Sequence, residues 1–151
     1  MIPNATKRKL LDGQIDYSAD DIRVGLLDDS VAYSHDPDAY EFVADIIDGV
    51  EGSEYSDANY SRQSLANLST TQDDTNDRSV FDADDVTFAS LGSSDGDTIQ
   101  AVFIFKQVTD DTDSPLLRVI DDADEADLPL ATNGSDVTIE WDANDGITTL
   151  S

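Results

Sequence analysis

Residues 100–108, QAVFIFKQV, constrain the fold most. On an extended chain Val102 and Ile104 point to one side and Ala101, Phe103 and Phe105 to the other. A strand that is apolar on both sides belongs in the middle of a structure, with other elements covering each face. The chain must therefore supply at least two further layers from the segments around it.

The candidates for those layers are short and mostly extended. IRVGLL at 22–27 alternates Ile22, Val24 and Leu26 with β-branched residues at strand-favouring positions. From residue 62 onward, runs at 63–70, 78–82, 85–90, 99–108, 115–121, 136–142 and 146–150 read as strands separated by Gly, Asp, Ser and Pro clusters. DVTIEWD at 136–142 points Val137, Ile139 and Trp141 inward and Thr138 and Glu140 outward, so Trp141, Phe103 and Phe105 are expected to be buried. Two helices are expected. One is short, at about 4–12, with Asn4 as N-cap and Gly13 as terminator. The other spans 38–47, where Ala39, Phe42, Val43, Ile46 and Ile47 share a face and Asp38 with Glu41 has capping-box spacing after Pro37. Residues 121–136 are too acidic and turn-rich for a core element and read as a long exposed loop. The expectation is one domain over 1–151, mainly β, an antiparallel β-sandwich or jelly-roll-like fold with one or two short helices.

Charge narrows the function classes. Acidic residues number 34 against 8 basic, a formal charge of -26, with Asp far outnumbering Glu and Lys found only at positions 7, 9 and 106. Such self-repulsion is screened over about 3 Å at 1 M salt, so the composition fits a folded chain adapted to molar salt, from a halophile or a virus infecting one. Nucleic acid is not an expected partner, because phosphate neutralisation needs clustered Lys and Arg. The one basic cluster, Lys7, Arg8 and Lys9, is the candidate contact to an acidic shell or a neighbouring subunit. The absence of cysteine excludes disulfides and thiolate sites. No apolar run reaches signal-peptide or membrane-span length, so membrane insertion is not expected.

The stretch DDTNDRSVFDADDV at 73–86 is the natural place to look for a site. An EF-hand loop needs Gly at position 6, and a start at Asp74 puts Ser79 there while a start at Asp73 puts Arg78 there. Looser oxygen sites for Ca²⁺, Mg²⁺ or Na⁺ remain at Asp73, Asp74 and Asp77, or at Asp82, Asp84 and Asp85. The alternative is a hairpin: a turn at DDTND, a strand through Val80 and Phe81, a tight turn at DADD and a return strand through Val86 and Phe88. His35, the only histidine, reads as a turn residue. With no nucleophile elbow, P-loop, dinucleotide fingerprint or zincin motif, neither an enzyme nor an organic cofactor is expected.

Five segments carry a resemblance. In order, IRVGLLDDSVAYSHDPDAYEFVADI, YSRQSLAN, DDTNDRSVFDADDVTF, SPLLRVID and NGSDVTIEWDANDGITTLS resemble a small virion structural protein encoded by tailed bacteriophages and haloarchaeal tailed viruses. The excess of Asp fits a haloarchaeal host. The resemblance implies a building block with no catalytic residues. Its first placement is as a capsid decoration or turret protein on the head exterior, made in the host cytoplasm and assembled on the virion. Placement in the tail or neck is the second reading, and a soluble ion- or carbohydrate-binding β-module the third. The expected partners are copies of itself in pentamers or hexamers, with trimers an alternative, the major capsid protein and other virion proteins, and the host cell surface through loops such as 121–136.

Overall fold

The computed structural model describes residues 1–92, 98–121 and 127–151. The elements in chain order are α1 (Asn4–Leu11), β1 (Ile22–Asp28), α2 (Val43–Ile46), β2 (Gln63–Ser64), β3 (Ser69–Asp73), β4 (Arg78–Asp82), β5 (Val86–Phe88), β6 (Thr98–Lys106), β7 (Leu116–Ile120), β8 (Leu130–Ala131), β9 (Val137–Ile139) and β10 (Thr148–Leu150). The fold is mainly β, with antiparallel sheets arranged as a sandwich-like domain and two short helices.

The doubly apolar strand is central, as its pattern requires. β6 lies between β1 and β7 in a sheet of order β2-β1-β6-β7, with β8 pairing its first residues. One face of this sheet carries Ile22, Val24, Leu26, Val102 and Ile104 into a core closed by Phe81, Phe88 and Ile147 of the outer strands and loops. The other face carries Leu27, Ala101, Phe103 and Phe105 against Tyr40, Val43, Ile46 and Met1. A register shift opposite Leu27 and Asp28 moves Ile99 to the first face, while Ala101 stays on the second. A three-stranded sheet of order β10-β4-β3 and a β5-β9 pair complete the outer layer.

Several expectations are corrected. The helix expected over 38–47 is only Val43–Ile46. Phe42 is extended and bridges to Pro115, Val43 N–H donates to Ser114 O, and Leu116 N–H donates to Glu41 O. Long-range backbone pairing thus takes the groups a longer helix would have used. The N-cap is Phe42, and the capping side chain is Asp45, whose Oδ2 accepts from Glu41 N and Phe42 N at 2.8 Å, in place of Asp38 with Glu41. Asn4 is the first helical residue of α1 and not its cap; its amide bonds to Asp38, while Gly13, at φ 66°, ends the helix as expected. The run 63–70 splits into β2 and β3, separated by Asn67 at φ 53°.

The return strand is also placed differently. β4 is flanked by β3 and β10, so neither of its edges is open to β5, which pairs with β9 instead. The hairpin in the acidic stretch is β3-β4. The segment 121–136 is not loop throughout: it contains β8, and Asp121 and Thr132 are buried. The part of that expected loop at 122–126 lies outside the described residues. Trp141 is only partly buried, because its indole N–H reaches Asp84 O at the rim, at 3.0 Å.

Arg62 ties the second face together. Its guanidinium lies 5.0 Å from the centroid of Phe105 and 5.5 Å from that of Phe103, and forks onto both Glu54 and Asp111. Tyr60 O–H donates to Glu54 at 2.9 Å and accepts from Leu26 N–H at 3.0 Å, so the network ends on the backbone of β1. Burial alone would lower the Arg62 pKa, but the two carboxylates outweigh it and raise it. Arg62→Ala leaves two half-buried carboxylates facing each other. Breaking a fully buried pair costs about 3–5 kcal/mol, and discounting for the partial exposure of these three groups leaves about 2 kcal/mol. Urea unfolding in molar salt is expected to show that loss, with Arg62→Lys in between; an unchanged midpoint for Arg62→Ala would show the network to be decorative.

Candidate functional site

The acidic hairpin is built by local bonds. Asp73 closes the β3-β4 turn: Oδ1 accepts from Thr75 N and Asn76 N at 3.1 and 3.2 Å, and Oδ2 from Asn76 Nδ2 at 2.7 Å and Arg78 Nε at 3.0 Å. The bonds from Asn76 and then Arg78 hold its carboxyl below the usual carboxylate range. Asp77 takes the left-handed conformation that ends the turn, at φ 53°. Asp74 bonds to the Gln72 amide, Asp84 Oδ2 accepts from Asn67 Nδ2 at 2.6 Å, and Asp85 Oδ1 accepts from Trp141 N at 3.0 Å. Asp82 differs, since its Oδ1 is buried without a hydrogen-bond partner among the described residues.

The six carboxylates therefore do not converge as either proposed triplet. Among the described residues, no group of three His, Asp or Glu side chains is placed to hold a metal ion. The outer face of the hairpin instead forms a polar groove of about 460 Å³, lined by Ser69, Thr71, Asp73, Arg78, Asp82 and Asn144 among others. Arg78 organises it by reaching Asp145 Oδ1 at 2.5 Å and Asn144 O at 3.0 Å, which holds the turn before β10 against the hairpin. Arg78, the lone cation in an acidic run, was the sequence signal for this role. Ser69 and Thr71 carried no signal.

The basic cluster is divided between the interior and the surface. Lys9 is buried, pairs with Glu41 and stands 4.4 Å from the Phe42 ring centroid. Arg8 bonds to Glu41 at 3.1 Å, and Lys7 to Asn4 Oδ1 at 3.0 Å. With Thr6 bonded to Leu116 O, these contacts dock α1 on the end of β7 and the α2 segment. Lys7 and Arg8 remain exposed and available to a neighbour. His35 Nδ1 lies 2.9 Å from Asp121 Oδ2, fastening the 29–40 segment to the end of β7.

A second groove, of about 420 Å³, runs between Val102, Ile120, Leu128, Ile139 and Trp141. Its floor is apolar and continuous with the core, and Trp141 is fixed at its edge by the bonds to Asp84 and Asp85.

No helix among the described residues is long and apolar enough to cross a membrane. Comparison with protein families, with curated proteins and with solved structures finds no match to the chain.

Proposed function

We propose that the chain is a structural component of a haloarchaeal tailed-virus particle, placed on the head exterior as a decoration or turret protein. One observation carries this reading: the segments that resemble the small virion protein of tailed viruses are scaffold. They contain β1 and α2, the β4-β5 region, β7, and the β9 and β10 strands that close the outer layer. These segments place side chains in both halves of the core, and two of them also line the hairpin groove. The acidic side chains support the same reading, because those of the hairpin stabilise turns while the surface keeps a charge suited to molar salt. Such a block repeats around a symmetry axis, in rings of five or six copies or in trimers. Tail or neck placement is the runner-up within the same class.

Cryo-electron microscopy of particles, with antibody labelling, tests the placement. The expected result is density spread over the shell in many copies, with one end of the domain on the major capsid protein. Labelling confined to one ring at the tail or neck would replace the head assignment, and absence from purified particles by mass spectrometry would overturn the virion reading.

A further inference from the structure

The outer edge of β3 is open. β3 ends the order β10-β4-β3, so one side of its ladder pairs with β4 and the other has no strand beside it among the described residues. Ser69, Thr70, Thr71 and Gln72 are all exposed. Folded proteins protect such an edge with charge, proline or a covering segment. The edge of β7 has that cover, since Val119 N–H donates to Met1 O at 2.8 Å. β3 has none among the described residues, and it sits in an unusual place in the sequence. Residues 58–72 form the longest run without Asp or Glu in the chain, fifteen positions whose only charge is Arg62.

We infer that the outer edge of β3 pairs, antiparallel and about a two-fold axis, with the same edge of a second copy of this chain. Charge selects the occupant. Two surfaces at -26 each repel over most of their area, and this edge is where two copies meet without opposing carboxylates. Charge also selects the direction. Antiparallel pairing centred on Thr71 sets Thr71 opposite Thr71 of the second copy and Ser69 opposite Asp73. The two Asp73 carboxylates then lie at opposite ends of the contact, each held by its own Arg78. Parallel in-register pairing would stack Asp73 on Asp73 at strand spacing, about 4.8 Å. The result is a continuous sheet of order β10-β4-β3-β3-β4-β10 across the two copies. Rows of Thr and Ser suit such a pair, because β-branched residues and cross-strand hydroxyls favour it. This contact is isologous and holds in solution whatever particle the chain belongs to; rings of higher order need a separate surface.

The chain has no cysteine, which gives a direct test. Thr70→Cys, Thr71→Cys and Gln72→Cys, each alone, are oxidised in molar salt, with Thr112→Cys, on an exposed turn away from β3, as control. Across an antiparallel pair the directly opposed residues lie about 4.5–5.5 Å apart at Cα, within disulfide reach. The expected result is a dimer in sedimentation for the unmodified chain and crosslinking at Thr71→Cys at least ten times faster than at Thr112→Cys, with Thr70→Cys and Gln72→Cys slower than Thr71→Cys because positions 70 and 72 face each other and not themselves. In the same assay Thr71→Asp, which opposes two carboxylates, lowers dimer affinity at least tenfold, while Thr71→Asn leaves it nearly unchanged. A monomer at high protein concentration in molar salt, or equal crosslinking at all four positions, would overturn the inference.

Discussion

Gly25→Ala is expected to destabilise the chain by about 3 kcal/mol, although it adds one methyl group in a favourable backbone conformation. Gly25 sits mid-strand in β1, directly opposite Phe103 in β6. A Cβ at this position would stand 2.6 Å from Phe103 Cε1 and 2.9 Å from Cε2, well inside contact distance. The Phe103 ring has nowhere to go: it is fully buried, 5.7 Å from the Phe105 ring, and capped by Arg62. Overpacking of this kind typically costs about 1–3 kcal/mol, and a ring held on every side places Gly25 at the upper end. The companion variant Phe103→Ala removes a buried ring and is expected to cost about 3–5 kcal/mol. The pair should be strongly non-additive, because the methyl group at position 25 partly fills the space the ring leaves. Urea unfolding of both single variants and the double variant in molar salt measures the coupling. Additive losses would mean that Gly25 is present for a reason other than the ring.

Gly25 also shows where sequence reasoning stops. The extent of β1 was legible from Ile22, Val24 and Leu26, and a glycine inside a strand signals a close approach. Which group approaches is set by pairing with a strand some eighty residues away, which no local pattern states. The same boundary separates the other elements. β4, β6 and β7 are apolar runs whose limits follow from burial, and they were readable to within two residues. β3 is Ser-Thr-Thr-Gln-Asp, with no alternation, so its full extent and its position at an edge were invisible. α2 was over-read: Val43 and Ile46 face the core as the helical spacing requires, but Phe42 uses its backbone to bridge Pro115. Periodicity reports which side chains are buried, and one helical turn satisfies it as well as three. In the candidate site, the failure of an EF-hand register was legible, and so was the turn at DDTND. The engagement of Asp84 with Asn67 and of Asp85 with Trp141 was not, because both bonds depend on how β5 leaves β4 for β9.

Lowering salt from 2 M to 0.1 M is expected to separate the copies first and then lower the melting temperature by about 10 °C. Of the eight cations, Arg8, Lys9, Arg23, Arg62, Arg78 and Lys106 form ion pairs within the chain, so nearly all the basic charge is already in use. The net excess of 26 negative charges has only the solvent's cations to offset it. Reducing salt lengthens the screening distance from under about 3 Å to about 10 Å, which spans neighbouring turns and the contact between two copies. Even about 0.1 kcal/mol per uncompensated charge, below the usual range for exposed pairs, sums to roughly 3 kcal/mol, or about 10 °C for a chain of this length. The contact between copies fails before the fold because it sets two whole charge distributions against each other, whereas each core is held by the buried faces of β1, β6 and β7. Within the chain, the β3-β4 hairpin should loosen before the central sheet, since its strands carry few buried side chains beside a dense set of carboxylates. Sedimentation and thermal melts across the salt series, with amide exchange at Thr71 and Ile104 as local probes, resolve the three steps. Sucrose in place of salt separates charge screening from general solute exclusion and is not expected to restore the dimer. Identical oligomeric state and melting temperature at 2 M and 0.1 M would show that the acidic surface is not an adaptation to salt.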